Sequence, residues 1–290
     1  MRGIGVVLLL GSLASAGEGR RDKWLFEGES AHYTIQSTAD KKVAADLLKY
    51  MDLCFDTYKR FLNPAPDRLP RQKFTLVLYK DRDEYKARGG SGRFGHYDGR
   101  RLVGFHDAEQ MLPTFAHEGV HQFTDICIPN YDRLPSWYGE GIAECIANNE
   151  VRQGKLYLCL KKGPVPKIRL YVVQEAIRDG RWVRLKDLLV ADRKTFQQEW
   201  KVYYATSWLF CHFLLTYPKQ EDPAKQIPEG RYKQVVVRFH NAMLDPKIKV
   251  QDAVTQAFVL EGKPLNFDDL DKELREYALS FEAERPPEDR

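Results

Sequence analysis

The chain has 290 residues, a formal net charge of +4 and 43% hydrophobic residues, which is enough to bury a sizeable core in one large domain or two lobes without disulfide staples. Its Lys and Arg are interspersed with Asp and Glu and form no basic stripe threaded with aromatics, which argues against a nucleic-acid partner. Beyond the first residues the longest apolar run is Trp208–Leu215, too short to span a bilayer, so no transmembrane segment is expected.

Arg2 precedes the short apolar stretch Ile4–Leu10 and then Ala14-Ser15-Ala16, the order of a secretory signal peptide cleaved after Ala16. The chain is therefore expected to be exported, secreted or periplasmic, with a mature part starting near Gly17. Residues 17–125 read as an α/β lobe. His32–Ser37 alternates as a strand, Asp40–Leu62 has the period of a long amphipathic helix, Pro64, Pro66 and Pro70 mark a turn, and Lys73–Tyr79 reads as a second strand. Gly89-Gly90-Ser91-Gly92 and the pair Gly95 and Gly99 bracket a hairpin-like stretch that runs into Arg101–His106. These glycines read as turns, because no Lys-Ser/Thr and helix follow them as a phosphate-cradling loop requires. His96 and His106 fit surface or hairpin packing better than ligation. The five cysteines, Cys54, Cys127, Cys145, Cys159 and Cys211, show no C-x-x-C spacing, so mostly buried free thiols are expected, with room for one bridge.

The chemistry concentrates in Ala116-His117-Glu118-Gly119-Val120-His121. Residues four apart on a helix are separated by about 400° and about 6 Å of rise, so His117 and His121 point the same way and one metal ion can take a nitrogen from each. Phe115, Ala116, Val120 and Phe123 supply an apolar stripe that places this motif on a packed helix rather than a loop. Zinc suits imidazole and carboxylate and keeps three protein ligands in catalytic sites. Glu118, beside the first ligand, can reach a water in the fourth position. Farther along comes Trp137-Tyr138-Gly139-Glu140-Gly141-Ile142-Ala143-Glu144, in which eighteen residues, Gln122 to Gly139, separate Glu140 from His121, and Glu140 is the leading third ligand. Asp125, Cys127 and Cys145 compete with it, although Cys145 falls on another side of the same predicted helix.

Between the two runs, Ile128–Pro135 reads as a loop, with Ser136 as N-cap of the second helix. Glu144 shares a helix face with Glu140. Ligating histidines usually pass their other N–H to a carboxylate or carbonyl, which makes Glu144, and by the same logic Asp125 four past His121, candidates to support the ligands. Residues 126–284 otherwise read as a mainly helical lobe carrying the third ligand, after a strand pair within Val151–Leu160. Helices are predicted at Leu170–Arg178, Leu185–Ala191, Trp200–Tyr217, Tyr232–Leu244, Val250–Phe258 and Phe267–Phe281, with a polar loop at Pro218–Gly230 and a loose tail at 285–290.

His117-Glu118-x-x-His121 followed after eighteen residues by Glu140, within Trp137–Ala143, resembles the gluzincin metallopeptidases, and most closely the peptidase MA-like secreted bacterial family. The likeness is strong over Phe105–Asn149 and weaker to about Leu215. It implies an α+β fold with a thermolysin-like zincin catalytic core, a mixed N-terminal sheet and a mainly helical C-terminal lobe. It also implies zinc on His117, His121 and Glu140 with Glu118 as general base, and a support role for Glu144, which stands where the thermolysin branch carries an acidic residue. An edge strand that binds extended peptide precedes the zinc helix in that group, and Arg101–His106 stands in its place. Tyr203-Tyr204-Ala205-Thr206-Ser207-Trp208 resembles a Tyr-Ala-x-Ser-aromatic run of the same family. Tyr204, 64 residues past Glu140, stands close to the tyrosine that stabilises the oxyanion in the aminopeptidase branch. Tyr203 is the second candidate, and core packing competes for both. The Gly-x-Met-Glu-Asn stretch that grips a free N-terminus in that branch has no counterpart before His117, Glu109 being the nearest acidic residue, and Gly139 replaces the Asn before the ligand Glu.

The expected activity is hydrolysis of a peptide bond, in a substrate bound as an extended strand, by a zinc-bound water activated by Glu118. Two other classes remain open, a zincin-fold metal-binding protein without turnover and a hydrolase of a non-peptide amide. Retention of Glu118 argues against the first, since metal binding alone does not need a base.

Overall fold

The protein's structure, a computed structural model, describes residues 24–62, 69, 72–129, 131–158, 164–218, 229–283 and 285. The expected signal peptide at 1–16, the proline turn, Cys159, most of the polar loop after Pro218 and all but one residue of the tail lie outside the described residues. Four cysteines, Cys54, Cys127, Cys145 and Cys211, are buried free thiols, as expected for them.

The architecture is mixed α+β. The N-terminal half forms strands β1 (Phe26–Glu29) and β2 (Tyr33–Ser37), helix α1 (Lys41–Leu62), strand β3 (Phe74–Tyr79), helix α2 (Arg82–Ala87), and strands β4 (Gly95–Tyr97) and β5 (Arg101–Phe105). These strands make one five-stranded sheet in the order β1-β2-β3-β5-β4, with β2, β3 and β5 parallel and the two outer strands antiparallel to their neighbours. Period-two alternation sends Tyr33, Ile35, Leu76, Leu78 and Leu102 into the main core and Val77, Tyr79, Val103 and Phe105 onto the opposite face, where Tyr85 of α2 covers them. One expectation is corrected here. Arg101–Phe105 is not the sheet edge, because the short strand β4 folds back and pairs along its outer side, with Gly99 at φ +86° in the turn between them. Strand order is set by long-range pairing, which the local pattern of β5 does not carry.

Helix α3 (Met111–Cys127) follows the sheet, and α4 (Ser136–Ala147) follows α3 after a short 3-10 turn at Tyr131–Arg133. Ser136 is the first residue of α4 rather than its cap. Pro135 occupies the cap position and no side chain caps the end. Beyond α4 come a β6 (Asn149–Arg152) and β7 (Lys155–Leu158) hairpin and helices α5 (Pro164–Arg178), α6 (Leu185–Val190), α7 (Arg193–Gln198), α8 (Trp200–Thr216), α9 (Lys233–Leu244) and α10 (Val250–Ala257). The small pair β8 (Val259–Leu260) and β9 (Lys263–Pro264) and the helix α11 (Phe267–Leu279) complete the order. One continuous apolar core runs from Tyr33 of β2 through α1, α3, α4 and α8 to Ala278 of α11.

Two close approaches fix the helices that matter for function. Gly119 of α3 faces α1, where an added Cβ would lie 2.7 Å from the Tyr58 hydroxyl, and that hydroxyl donates to the Ala116 carbonyl at 2.8 Å. Gly141 of α4 faces α8, where an added Cβ would lie 2.5 Å from both the Ser207 carbonyl oxygen and Cys211 Sγ. The linker between α3 and α4 is tied to the α9–α10 connection through Arg133, whose guanidinium donates to the carbonyls of Met243, Asp245 and Ile248. Among the described residues no helix is long and apolar enough to cross a membrane.

Candidate metal centre

Helix α3 buries Phe115, Ala116, Gly119, Val120 and Phe123 against α1 and the sheet, so His117, Glu118 and His121 fall on its opposite, partly open side. The His117 and His121 Nε2 atoms lie 3.1 Å apart. Glu140, brought in by the first turns of α4, places Oε2 3.4 Å from His117 Nε2 and 3.6 Å from His121 Nε2. A tetrahedral ion with bonds of about 2.0–2.1 Å holds its ligand atoms about 3.3 Å apart. The three observed edges match that spacing, and His117, His121 and Glu140 could hold a metal ion; among the described residues they are the one such cluster. Cys127 and Cys145 are buried in the core, away from this cluster.

The other atoms of these groups are also engaged. His117 Nδ1 faces Glu144 Oε1 at 3.4 Å, one turn beyond Glu140 on α4, so the imidazole lies between the two carboxylates. That is the arrangement in which a carboxylate fixes the tautomer of a ligating histidine. Glu144 is buried, and the Arg169 guanidinium of α5 meets both its oxygens, Nε to Oε2 at 3.3 Å and Nη2 to Oε1 at 3.4 Å. The same guanidinium lies 4.2 Å from the centroid of the Tyr204 ring. Tyr204 comes from α8 and sets its hydroxyl 3.1 Å from His117 Nε2, whereas Tyr203 packs on Phe196.

The electrostatics of this cluster favour a cation. Burial opposes the charged form of His117, but Glu140 and Glu144 outweigh it and raise its pKa to about 10. Burial likewise opposes the charge on Glu140, yet His121 and His117 hold its carboxyl well below the usual range. Glu144 is drawn down to about 2 by His117 and Arg169 against the same cost of burial. Burial and then the neighbouring Glu140 and Glu144 push the Tyr204 phenol well above its ordinary value, so it stays protonated and able to donate.

Glu118 lies on the strand side. Its Oε2 accepts the Tyr97 amide at 3.0 Å, so that N–H of β4 is turned away from the β5 ladder and the free edge of the sheet lies against the Glu118 carboxylate. The Tyr97 hydroxyl in turn donates to Asp125 Oδ2 at 2.8 Å. The His96 ring pairs through Nδ1 with the Tyr85 hydroxyl at 2.8 Å on the other side of the strand. A cleft of about 640 Å³ opens from His121 and Glu140 between α4, α6 and α10, with Gly139, Leu189, Val254 and Phe267 among its walls. Two contributors had no signal in the sequence. Arg169 reaches the site only through the packing of α5, and Tyr97 acts through a backbone amide.

Residues 111–227 match a family model described as a protein of unknown function (DUF1570), a stretch that opens with α3 and includes both halves of the motif and Tyr204. No curated protein matches the chain.

Proposed function

We propose that this chain is a zinc-dependent peptidase built on a thermolysin-like zincin core. The observation that carries the reading is the set of three ligand-atom separations, 3.1, 3.4 and 3.6 Å, with a carboxylate outside that set, Glu118, beside the first ligand in sequence. His117, His121 and Glu140 would hold the ion. Zinc bound there supplies a Lewis acid that polarises a carbonyl and makes water a better nucleophile near neutral pH.

The remaining steps belong to the protein. The Tyr97 amide holds one oxygen of Glu118, which orients the carboxylate and leaves the other oxygen to take a proton from the attacking water. As the C–N bond breaks, Glu118 returns that proton to the leaving amine. Negative charge builds on the carbonyl oxygen during attack, and the Tyr204 hydroxyl, beside His117, is the neutral donor that can meet it. The free edge of β4 borders Glu118, so an extended peptide laid along it brings its backbone to the base. The cleft beyond Gly139 then takes the chain on one side of the scissile bond. The basic and apolar start of the sequence supports an exported location, with removal of residues 1–16, which the mass of the mature N-terminus would report.

The test is metal analysis combined with a general peptide substrate on the wild type and Glu118→Gln. The variant should keep one zinc per chain and lose cleavage by about 100-fold or more, the scale of a positioned general base. Equal cleavage by both proteins would remove Glu118 from the role of base. A wild type that binds zinc and cleaves nothing would leave a metal-binding protein without turnover.

A further inference from the structure

The cluster contains one cation whose reach exceeds its local duty. Arg169 lies on α5, outside both motif halves, and 19% of its side chain is exposed. It makes two kinds of contact at once, a fork onto both oxygens of Glu144 at 3.3 and 3.4 Å and a face-on approach to the Tyr204 ring at 4.2 Å. The Tyr204 and His117 rings are themselves close to parallel, with an interplanar angle of 17°. A guanidinium can do this because it is planar. Its edge matches a carboxylate through two parallel N–H donors while its face lies against an aromatic ring, which the compact ammonium of lysine cannot do at the same time.

We propose that Arg169 is a positioning residue that sets two groups of the metal centre together: the Glu144 carboxylate that orients His117, and the Tyr204 ring whose hydroxyl faces the same histidine. Gripping both oxygens stops rotation about the terminal bond of Glu144 and keeps Oε1 aimed at His117 Nδ1. Bearing on the ring of Tyr204 keeps its hydroxyl 3.1 Å from His117 Nε2. One residue of α5 thereby ties α4 to α8 at the point where ligand and oxyanion donor meet. A purely structural arginine would only neutralise a buried carboxylate, and lysine would serve for that.

Arg169→Lys separates the two. It keeps the positive charge near Glu144 and loses the fork and the stacked face, so the fold should survive, with a melting temperature within a few degrees of the wild type. Zinc affinity, read by competition with a chromogenic chelator and needing no turnover, should fall about tenfold, in the range seen when the outer partners of metal ligands are changed. The Tyr204 half of the proposal rests on the peptidase reading, and there kcat should fall about tenfold with KM little changed. Tyr204→Phe alone should leave zinc affinity as it was, and adding Arg169→Lys to it should cost much less in kcat than in the wild-type background, because the aimed hydroxyl is already gone. If Arg169→Lys matches the wild type in zinc affinity and kcat, the arginine is a charge neutraliser and the proposal fails. If the kcat losses of the two variants multiply in full, the link to Tyr204 is overturned. Should the wild type cleave no peptide, the peptidase reading fails on its own, and the zinc titration still decides whether Arg169 orients the ligand through Glu144.

Discussion

Tyr204 illustrates how a side chain acquires a role from the groups around it. A buried tyrosine at helical spacing is ordinarily core, yet this hydroxyl has His117 Nε2 of the candidate metal site at 3.1 Å and a phenol pKa held high by burial and by Glu140 and Glu144. It can donate and cannot ionise near neutral pH. Tyr204→Phe keeps the ring, the Arg169 contact and the packing on Phe196, and removes only the donor. On the proposed peptidase reading its kcat should fall by about 10- to 1000-fold with KM nearly unchanged, the pattern of an interaction made in the transition state, and steady-state kinetics on a peptide substrate would check it. If the donor works beside the ion, removing the metal should bring wild type and variant to the same residual rate, and equal fold-losses in both would show that the two act independently. The residues of this site divide by the range of the information that places them. His117 and His121 could be paired from the sequence because four residues on a helix is a local distance, and Glu140 because one loop and one turn of helix is nearly so. Arg169 could not, since its approach to Glu144 depends on how α5 docks 25 residues later.

The helices that carry the candidate ligands are set by what they can approach. α4 has two glycines flanking Glu140, and they have opposite surroundings. Gly141 lies against α8 with the Ser207 carbonyl and Cys211 Sγ 2.5 Å from where a Cβ would sit, and Gly139 faces the cleft with nothing within 4 Å. Gly141→Ala should therefore destabilise by about 1–3 kcal/mol, because a backbone carbonyl cannot give way as a flexible side chain can. Gly139→Ala, which gains helix propensity of up to about 1 kcal/mol and meets no atom, should be neutral or slightly stabilising. Urea denaturation of the pair would read the difference, and similar losses in both would mean that α4 does not rest on α8 this closely. Elements with strong periodicity were legible in advance, as α1, α9 and α11 show within a residue or two. β1 with its Phe-Glu-Gly-Glu, the three-residue β4 and the six-residue helices α2 and α7, which lack the i, i+3, i+4 leucines that mark the equally short α6, carry too little apolar pattern for a period to register. The reassignment of the sheet edge from β5 to β4 has the same origin, since three residues carry the strand that closes the sheet.

At the scale of the whole molecule the candidate metal centre joins parts of the chain that a two-lobe description would separate. His117 and His121 are on α3, which packs on the sheet and α1, while Glu140 is on α4, which packs on α8 in the helical half. The core beneath them is continuous from β2 to α11. If it unfolds as one cooperative unit, an ion bound only to the folded chain stabilises all of it by RT ln(1 + [L]/Kd), about 4 kcal/mol at a free zinc concentration one thousand times Kd. For a protein of this size that corresponds to a rise in Tm of roughly 8–16 °C, at about 2–4 °C for each kcal/mol. Calorimetry should show one transition that moves up with zinc and back with a chelator, and Glu140→Gln, which weakens the grip on the ion, should reduce the shift. Two transitions of which only one moves would mean that the halves unfold separately and that the ion spans a boundary instead of a single core. The shift itself needs no substrate, so it tests the three-ligand site on α3 and α4 whatever the reaction proves to be.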